Sequence, residues 1–173
     1  MKKWIIILIT LFSLLLLIIA GASGSFFYVA QVRAEKDFIN NKARGPESSL
    51  YKDEQAFNQL PKEKRRMSNQ RLNQVAWYVP AKEKSDKTVL MVHGFTNDKS
   101  DMKSYAYLFH QLGYNVLIPD NVAHGESQGN IIGYGWKDKD NVIKWTEGLI
   151  ADNPNQKITF FGVSMGAATV MMA

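Results

Sequence analysis

Gly162-Val163-Ser164-Met165-Gly166 is the stretch whose reading decides the fold. The apolar run Ile158-Thr159-Phe160-Phe161 leads into it and reads as a buried strand. Ala167-Ala168-Thr169-Val170-Met171-Met172 follows, a run of small and apolar residues able to open a helix. A strand, Gly-x-Ser-x-Gly and a helix in that order make a sharp turn with a serine at its apex. The turn predicts a strained backbone at Ser164. It also predicts glycine at 162 and 166, because neighbouring backbone passes within contact distance there. Such a bend lifts the hydroxyl clear of the sheet and points the first N–H groups of the next helix at whatever it attacks.

Upstream, Thr88-Val89-Leu90-Met91-Val92 is a continuous apolar run, the pattern of a parallel strand covered on both faces. It ends in His93-Gly94-Phe95-Thr96. Met102, Tyr105, Ala106, Phe109 and Leu112 then fall at helical spacing, with Ser100 as the cap, Gly113 as the stop and His110 on the solvent side. Tyr114 to Pro119 is the next strand, closing at Asp120. A loop from Asn121 to Gly129 runs on to Gly133-Tyr134-Gly135-Trp136. The next helix is expected from about Lys137 to Ala151, with Asp138 and Asp140 complementing its dipole and Asn153-Pro154 stopping it. Before all of these, Leu72 to Val79 suggests a first strand stopped by Pro80, so the folded part is expected to begin near Leu72. Strands alternating with helices define an α/β class and imply parallel pairing with right-handed crossovers.

The other end of the chain is of a different kind. Met1-Lys2-Lys3 is followed by an apolar stretch from Trp4 to Ala20, a small-residue break, and Phe26-Phe27-Tyr28-Val29-Ala30. No charge falls between Lys3 and Arg33. As a helix, residues 4–30 reach about 40 Å, enough to cross a lipid bilayer with some tilt. A signal peptide competes, since Ala20-Gly21-Ala22 fits a small-x-small cleavage site. The length of the apolar segment and its resumption at Phe26 favour an uncleaved anchor over residues 1–31. Lys2 and Lys3 hold the near end in the cytoplasm, while the far flank mixes Arg33 and Lys36 with Glu35 and Asp37; the rest is expected outside the cell membrane. Residues 32–71 read as a polar linker, clearest at Asn40 to Pro46, with a short amphipathic helix over Ser48 to Leu60.

With 173 residues and no cysteine, the chain holds one domain plus an appendage and excludes disulfides, thiolate metal sites and cysteine catalysis. Part of its net charge of +5 comes from Lys62, Lys64, Arg65 and Arg66, read as a solvated run. No aromatic-interleaved basic platform accompanies that charge, so no nucleic-acid partner is expected.

Four ordered landmarks resemble an α/β-hydrolase, more narrowly the bacterial membrane-anchored hydrolases related to the serine aminopeptidase type. They are Val92-His93-Gly94-Phe95, Pro119-Asp120 through His124-Gly125-Glu126-Ser127, Gly133-Tyr134-Gly135-Trp136 with Asp138 and Asp140, and Gly162 to Gly166. Together they cover residues 72–173, the N-terminal half of such a domain. The resemblance implies that Ser164 is the nucleophile and that the backbone N–H groups of Met165 and Phe95 form the oxyanion hole. His93, Gly94, Asp120, His124, Gly162 and Gly166 then shape the site, with Asp120 pinning its loop rather than serving as the acid. The triad order is Ser, acid, His, yet His93, His110 and His124 all precede Ser164, so none is expected to be the base. His93, His124 and Asp120 match no metal motif, and no metal or cofactor is expected. Only residues 165–173 follow Ser164, whereas the family continues through further strands that carry the acid and the histidine. The expectation is therefore a membrane-anchored serine hydrolase for a small acyl ester, amide or peptide, truncated after the nucleophile and close to inactive as it stands. The alternative is a non-catalytic anchored remnant or docking module.

Overall fold

Uninterrupted apolar sequence sets the first element. Helix α1 (Lys2–Gln31) runs for 30 residues without burying one of them. The computed structural model describes residues 2–34 and 45–173. The charged flank from Glu35 to Asp37 and most of the linker expected over Asn40 to Pro46 lie outside the described residues. Helix α2 (Tyr51–Asn58) falls inside the Ser48–Leu60 segment and buries Phe57.

The sheet begins at Glu63, before the expected start at Leu72. The basic run read as a solvated segment is mostly strand β1 (Glu63–Asn69), paired antiparallel with β2 (Leu72–Val79) from Glu63↔Tyr78 to Asn69↔Leu72. Gln70 and Arg71 join the two strands, both at positive φ (50° and 64°), the backbone of a two-residue hairpin turn whose twist matches the strands. Arg65 lies over the Tyr78 ring at 3.7 Å and bonds Asp152 at 2.8 Å, so the charges of this edge are partnered as well as solvated. Strands β3 (Lys87–Val92), β4 (Asn115–Pro119) and β5 (Lys157–Gly162) complete a sheet of order β1-β2-β4-β3-β5. β3 is parallel to both β4 and β5, and β2 is antiparallel to β4. The sheet is thus mixed rather than wholly parallel, because a two-residue connection can only join antiparallel strands.

Alternation along the strands divides the core between two faces. Val89 and Met91 of β3 join Phe57, Val79, Met102, Ala106, Val116 and Ile118 on the face covered by α2 and α3 (Lys103–Gln111). Leu90 and Val92 join Ala76, Leu117, Val142, Trp145 and Leu149 beneath α4 (Lys139–Asp152). Each fully buried side chain of this size stabilises the fold by about 1.5–3 kcal/mol before entropy is counted. A 3₁₀ turn (Lys99–Met102) leads into α3, and its cap is Asp98 rather than Ser100. Asp98 accepts the Ser100 N–H at 2.6 Å, and Asp101 returns the bond to the Asp98 N–H at 2.9 Å. His110, expected in solvent, is buried at the end of α3 with Nε2 on the Pro80 carbonyl at 3.2 Å. Among the described residues β5 pairs only with β3, and Phe160 on it is exposed. Helix α5 (Met165–Met172) follows β5 after the two-residue bend at Val163 and Ser164.

Candidate active site

Ser164 sits between β5 and α5 at φ 53° and ψ −117°, a left-handed backbone that a serine adopts only when its surroundings impose it. The flanking glycines supply the imposition. A Cβ on Gly166 would run into the carbonyl groups of Val92 and His93, and one on Gly162 into the backbone of Gly166 and Ala167. The bend is therefore pressed against the end of β3 by backbone on both sides. The loop after β3 lies alongside at ordinary contact distance: a Cβ on Gly94 would stand 3.4 Å from the Val163 carbonyl oxygen and 3.5 Å from Ser164 Cβ. Phe95 and Met165 meet in one small apolar cluster with Val122, Ala123, Ile132 and Leu72. As the first residue of α5, Met165 carries an N–H that helix geometry leaves without an intrahelical acceptor.

Both histidines beside this bend are committed. His93 is fully buried; its Nδ1 faces the Gly94 carbonyl at 2.8 Å and its Nε2 accepts the Asn121 N–H at 3.0 Å. His124 repeats the pattern, with Nδ1 on the Val122 carbonyl at 2.8 Å and Nε2 accepting the Thr96 N–H at 3.2 Å. Carbonyl acceptors at Nδ1 and N–H donors at Nε2 assign the same neutral tautomer to both. Their rings lie 5.1 Å apart, edge to face. Burial lowers the pKa of His93, and burial together with neighbouring His93 lowers that of His124 to about 4. Two neutral imidazoles thus staple the loop after β3 to the loop after β4.

Asp120 is the other staple. Its carboxylate, fully buried, accepts the backbone N–H groups of Lys99 and Glu126, both at 2.8 Å, and pairs with the buried Lys99 ammonium at 2.5 Å. Lys99 also reaches Glu126 at 3.0 Å. Burial alone would lower the Lys99 pKa, but the bonds to Asp120 and Glu126 outweigh it and raise the value. Bonds from Lys64 and then Lys99 hold Glu126 down at about 2. Ser127 closes the loop by donating to the Asp120 carbonyl at 2.8 Å and accepting the Val75 N–H at 3.0 Å. We expect Asp120→Ala to destabilise the protein by about 3–4 kcal/mol, since it leaves the buried Lys99 ammonium with only the exposed Glu126 carboxylate and strands two backbone donors. Urea unfolding checks this, and a loss below about 1 kcal/mol would refute the stapling role.

The sequence missed Lys99, whose buried ammonium nothing in a lone lysine announces, and it missed a second task of Asp138. Asp138 stands at the N-cap of α4, as expected of an acid at a helix start, but its side chain makes no cap bond. It is buried, and its Oδ1 accepts the Val122 N–H at 2.6 Å. Burial raises its pKa to about 6. Below about pH 4 the group is protonated whether the chain is folded or not; above about pH 6 the folded state must hold a buried carboxylate. Asp138 therefore subtracts stability as pH rises through that window, roughly 3 kcal/mol in all. His124 acts with the opposite sign: it is neutral and cost-free above about pH 6.5, and stability is lost as pH falls towards about 4. Relative to the native chain, Asp138→Asn is expected to gain roughly 3 kcal/mol between about pH 4 and pH 7. Denaturation at both pH values measures the gain, and a difference independent of pH would contradict the assignment.

A groove of about 600 Å³ lies between β1 and α4, lined by Arg65, Met67, Trp145 and Asp152 among others, and no residue around Ser164 lines it. Among the described residues, no cluster of three or more His, Asp or Glu is arranged to hold a metal ion.

A mixed sheet flanked by helices, with a strained Gly-x-Ser-x-Gly bend beside a glycine loop, defines an α/β-hydrolase fold. The comparisons narrow it: the family described as serine aminopeptidase, S33, matches residues 83–173, more than half of the chain, and the protein belongs to that family. A Bacillus subtilis protein described as uncharacterized, YqkD, is 35% identical over 97 residues, which cover 55% of this chain and 32% of that protein. An esterase of Pyrococcus furiosus superposes with a TM-score of 0.61 at 26% identity, over 76% of this chain and 50% of its own. The Penicillium α/β hydrolase GrgF shares the fold at a TM-score of 0.56 and 19% identity, over 66% of this chain and 41% of its own. The matched part therefore spans half or less of these relatives.

Proposed function

We propose that the protein is a membrane-anchored serine hydrolase that opens a small acyl ester, amide or peptide through an acyl-enzyme on Ser164. One observation carries the reading: Ser164 is held at φ 53° at the head of α5, with the Gly94 backbone alongside. In this reading the Ser164 Oγ attacks the substrate carbonyl carbon. The N–H groups of Met165 and Phe95 take the negative charge that develops on the carbonyl oxygen. The intermediate then collapses, breaking the ester or amide bond and releasing the alcohol or amine with the proton taken from Ser164; water attacks the acyl-enzyme, releases the acid and returns the serine. Gly94, Gly162 and Gly166 permit the close approach, and His93, His124 and Asp120 hold the two loops that frame it.

The general base is assigned outside this chain. His93 and His124 each give their acceptor nitrogen to a backbone N–H, and His110 bonds Pro80 at the end of the sheet opposite Ser164. Among the described residues β5 pairs only with β3, so its other edge could receive strands that would bring the acid and base. The anchor is α1, which has the length and composition to cross a bilayer. Lys2 and Lys3 put its start in the cytoplasm and the hydrolase domain outside.

Fluorophosphonate labelling tests the assignment, since the probe reacts with an activated serine. A polypeptide joining this chain to its base is expected to label at Ser164 and to lose the label in Ser164→Ala. A folded protein of that kind that stays unlabelled would favour the anchored, non-catalytic module.

A further inference from the structure

The end of α1 is bonded to the domain. Val32 bridges Ile131 antiparallel, flanked by the Arg33 N–H on the Asn130 carbonyl at 2.9 Å and the Ile132 N–H on the Gln31 carbonyl at 2.7 Å. The Tyr134 hydroxyl donates to the Ala30 carbonyl at 2.7 Å. The Arg33 guanidinium donates to the carbonyls of Ser127 at 2.7 Å and Gly125 at 2.5 Å. Residues 125–134 are thereby fastened to the last turn of the apolar helix.

That fixes their depth in a membrane. A helix of 30 residues is about 45 Å long, matching a bilayer of about 40–45 Å including both headgroup layers. With Lys2 and Lys3 in one headgroup layer, Gln31 falls in the other, and the loop bonded to it lies at the same level. The loop carries the side chains such a layer accepts. Trp136 and Tyr134 are 67% and 43% exposed, Lys137 is exposed, and Lys139 lies 3.4 Å over the Trp136 ring. Phe26, Phe27 and Tyr28 are exposed on the adjoining turns of α1. Tryptophan and tyrosine settle at membrane interfaces because each has an apolar body and a polar edge, and lysines meet anionic headgroups there. Asp138, buried, and Asp140, which accepts a bond from Gln70 at 3.0 Å, offset the charges of Lys137 and Lys139, so the exposed rings of Tyr134 and Trp136 with Lys137 beside them, rather than net charge, suit the loop to this layer.

We propose that residues 134–139 form a second membrane contact, seated in the phospholipid headgroup layer beside the anchor. The proposal rests on the anchoring reading above. Its consequence reaches the candidate site, because the same loop touches it from two directions. Tyr134 stacks on Phe95 with ring centres 5.2 Å apart, and Gly135 packs so near α5 that a Cβ there would stand 2.7 Å from Thr169 Oγ1. The contact brings the Ser164 end of the sheet to the membrane surface.

The absence of native cysteine makes the test direct. Spin labels on Lys137→Cys, on Leu17→Cys within α1, and on Glu83→Cys in the β2–β3 turn would be read in the full chain. The chain would be reconstituted in vesicles of phosphatidylcholine and phosphatidylglycerol. Power saturation with oxygen and with a water-soluble nickel chelate then reports depth. The label at 17 is expected to be open to oxygen and closed to nickel, the label at 83 the reverse, and the label at 137 intermediate, with clear loss of nickel access relative to 83. Asn130→Cys repeats the reading on the same loop should a label at 137 disturb Trp136. Labels at 137 and 130 as open to nickel as that at 83, with 17 still protected, would overturn the second contact and leave the anchor standing. A label at 17 open to nickel would overturn the anchor and this proposal with it.

Discussion

Gly166→Ala is expected to remove most of the protein's stability, more than about 4 kcal/mol, although alanine is the better helix former. Position 166 lies in α5, and intrinsic propensity alone would favour alanine there by about 1 kcal/mol. Contact decides against it. The added methyl would occupy the space of the Val92 carbonyl, and that carbonyl cannot swing aside. Val92 ends β3, which lies between β4 and β5 in the sheet, and its oxygen accepts the Val163 N–H at 3.1 Å. Moving it would break the bond that sets the bend at Ser164. Gly148→Ala is the control. Gly148 lies within α4, and a Cβ there meets nothing within 4 Å, so the same substitution is expected to stabilise by about 0.5–1 kcal/mol. Urea unfolding of the two variants, followed by tryptophan fluorescence, should move in opposite directions. Two shifts of the same sign would show that propensity, not the approach of β3, governs position 166.

The parts of the fold that rest on local sequence were legible. Thr88 to Val92 is a run whose burial needs no partner to be named, and Gly-x-Ser-x-Gly dictates its own bend; Ile158 to Phe161 was legible as a strand but not in its burial, since none of its residues is fully buried and Phe160 is exposed. What escaped depended on a second segment. β1 alternates Arg65, Met67 and Asn69 on its half-buried side with charged and polar residues on the other, so period-two apolarity was absent. Arg65 becomes a strand residue only because Tyr78 and Asp152 receive it. His110 carries the pattern of an exposed helix position, yet the end of β2 folds over it at Pro80. Asp138 illustrates the limit most clearly. An acid at a helix start suggests the dipole, and nothing nearby in sequence reveals that Val122 will present an N–H to it across the loop. The bend at Ser164 was readable because Gly-x-Ser-x-Gly is a contiguous pattern, although the backbone that Gly166 approaches belongs to Val92 and His93, far away in sequence. The staples of the site, Lys99 on Asp120 and His124 on Thr96, were not, because each spans separate loops.

Without an added base, the 173-residue chain is expected to hydrolyse p-nitrophenyl acetate at a rate that Ser164→Ala hardly changes. A serine hydroxyl at neutral pH attacks poorly unless its proton is taken as the bond forms. His124 is neutral at that pH, but its acceptor lone pair holds the Thr96 N–H, and freeing it would break one staple between the two site loops. His93 is tied in the same way to Asn121 and is wholly buried. Loss of the base from a complete triad costs on the order of 10⁶-fold in turnover, and the roughly 10³–10⁴-fold over water that oxyanion donors and binding retain does not need the serine. Restoring a positioned histidine, by joining this chain to a segment that carries one, should recover a rate of that order, abolished by Ser164→Ala. Millimolar imidazole offers a weaker version of the experiment, with a serine-dependent increment expected to rise in proportion to its concentration. A native chain that exceeded Ser164→Ala tenfold with nothing added would mean that a base is already present. His124→Gln would then be the next variant to measure, because His124 alone could reach the site by surrendering a single backbone bond.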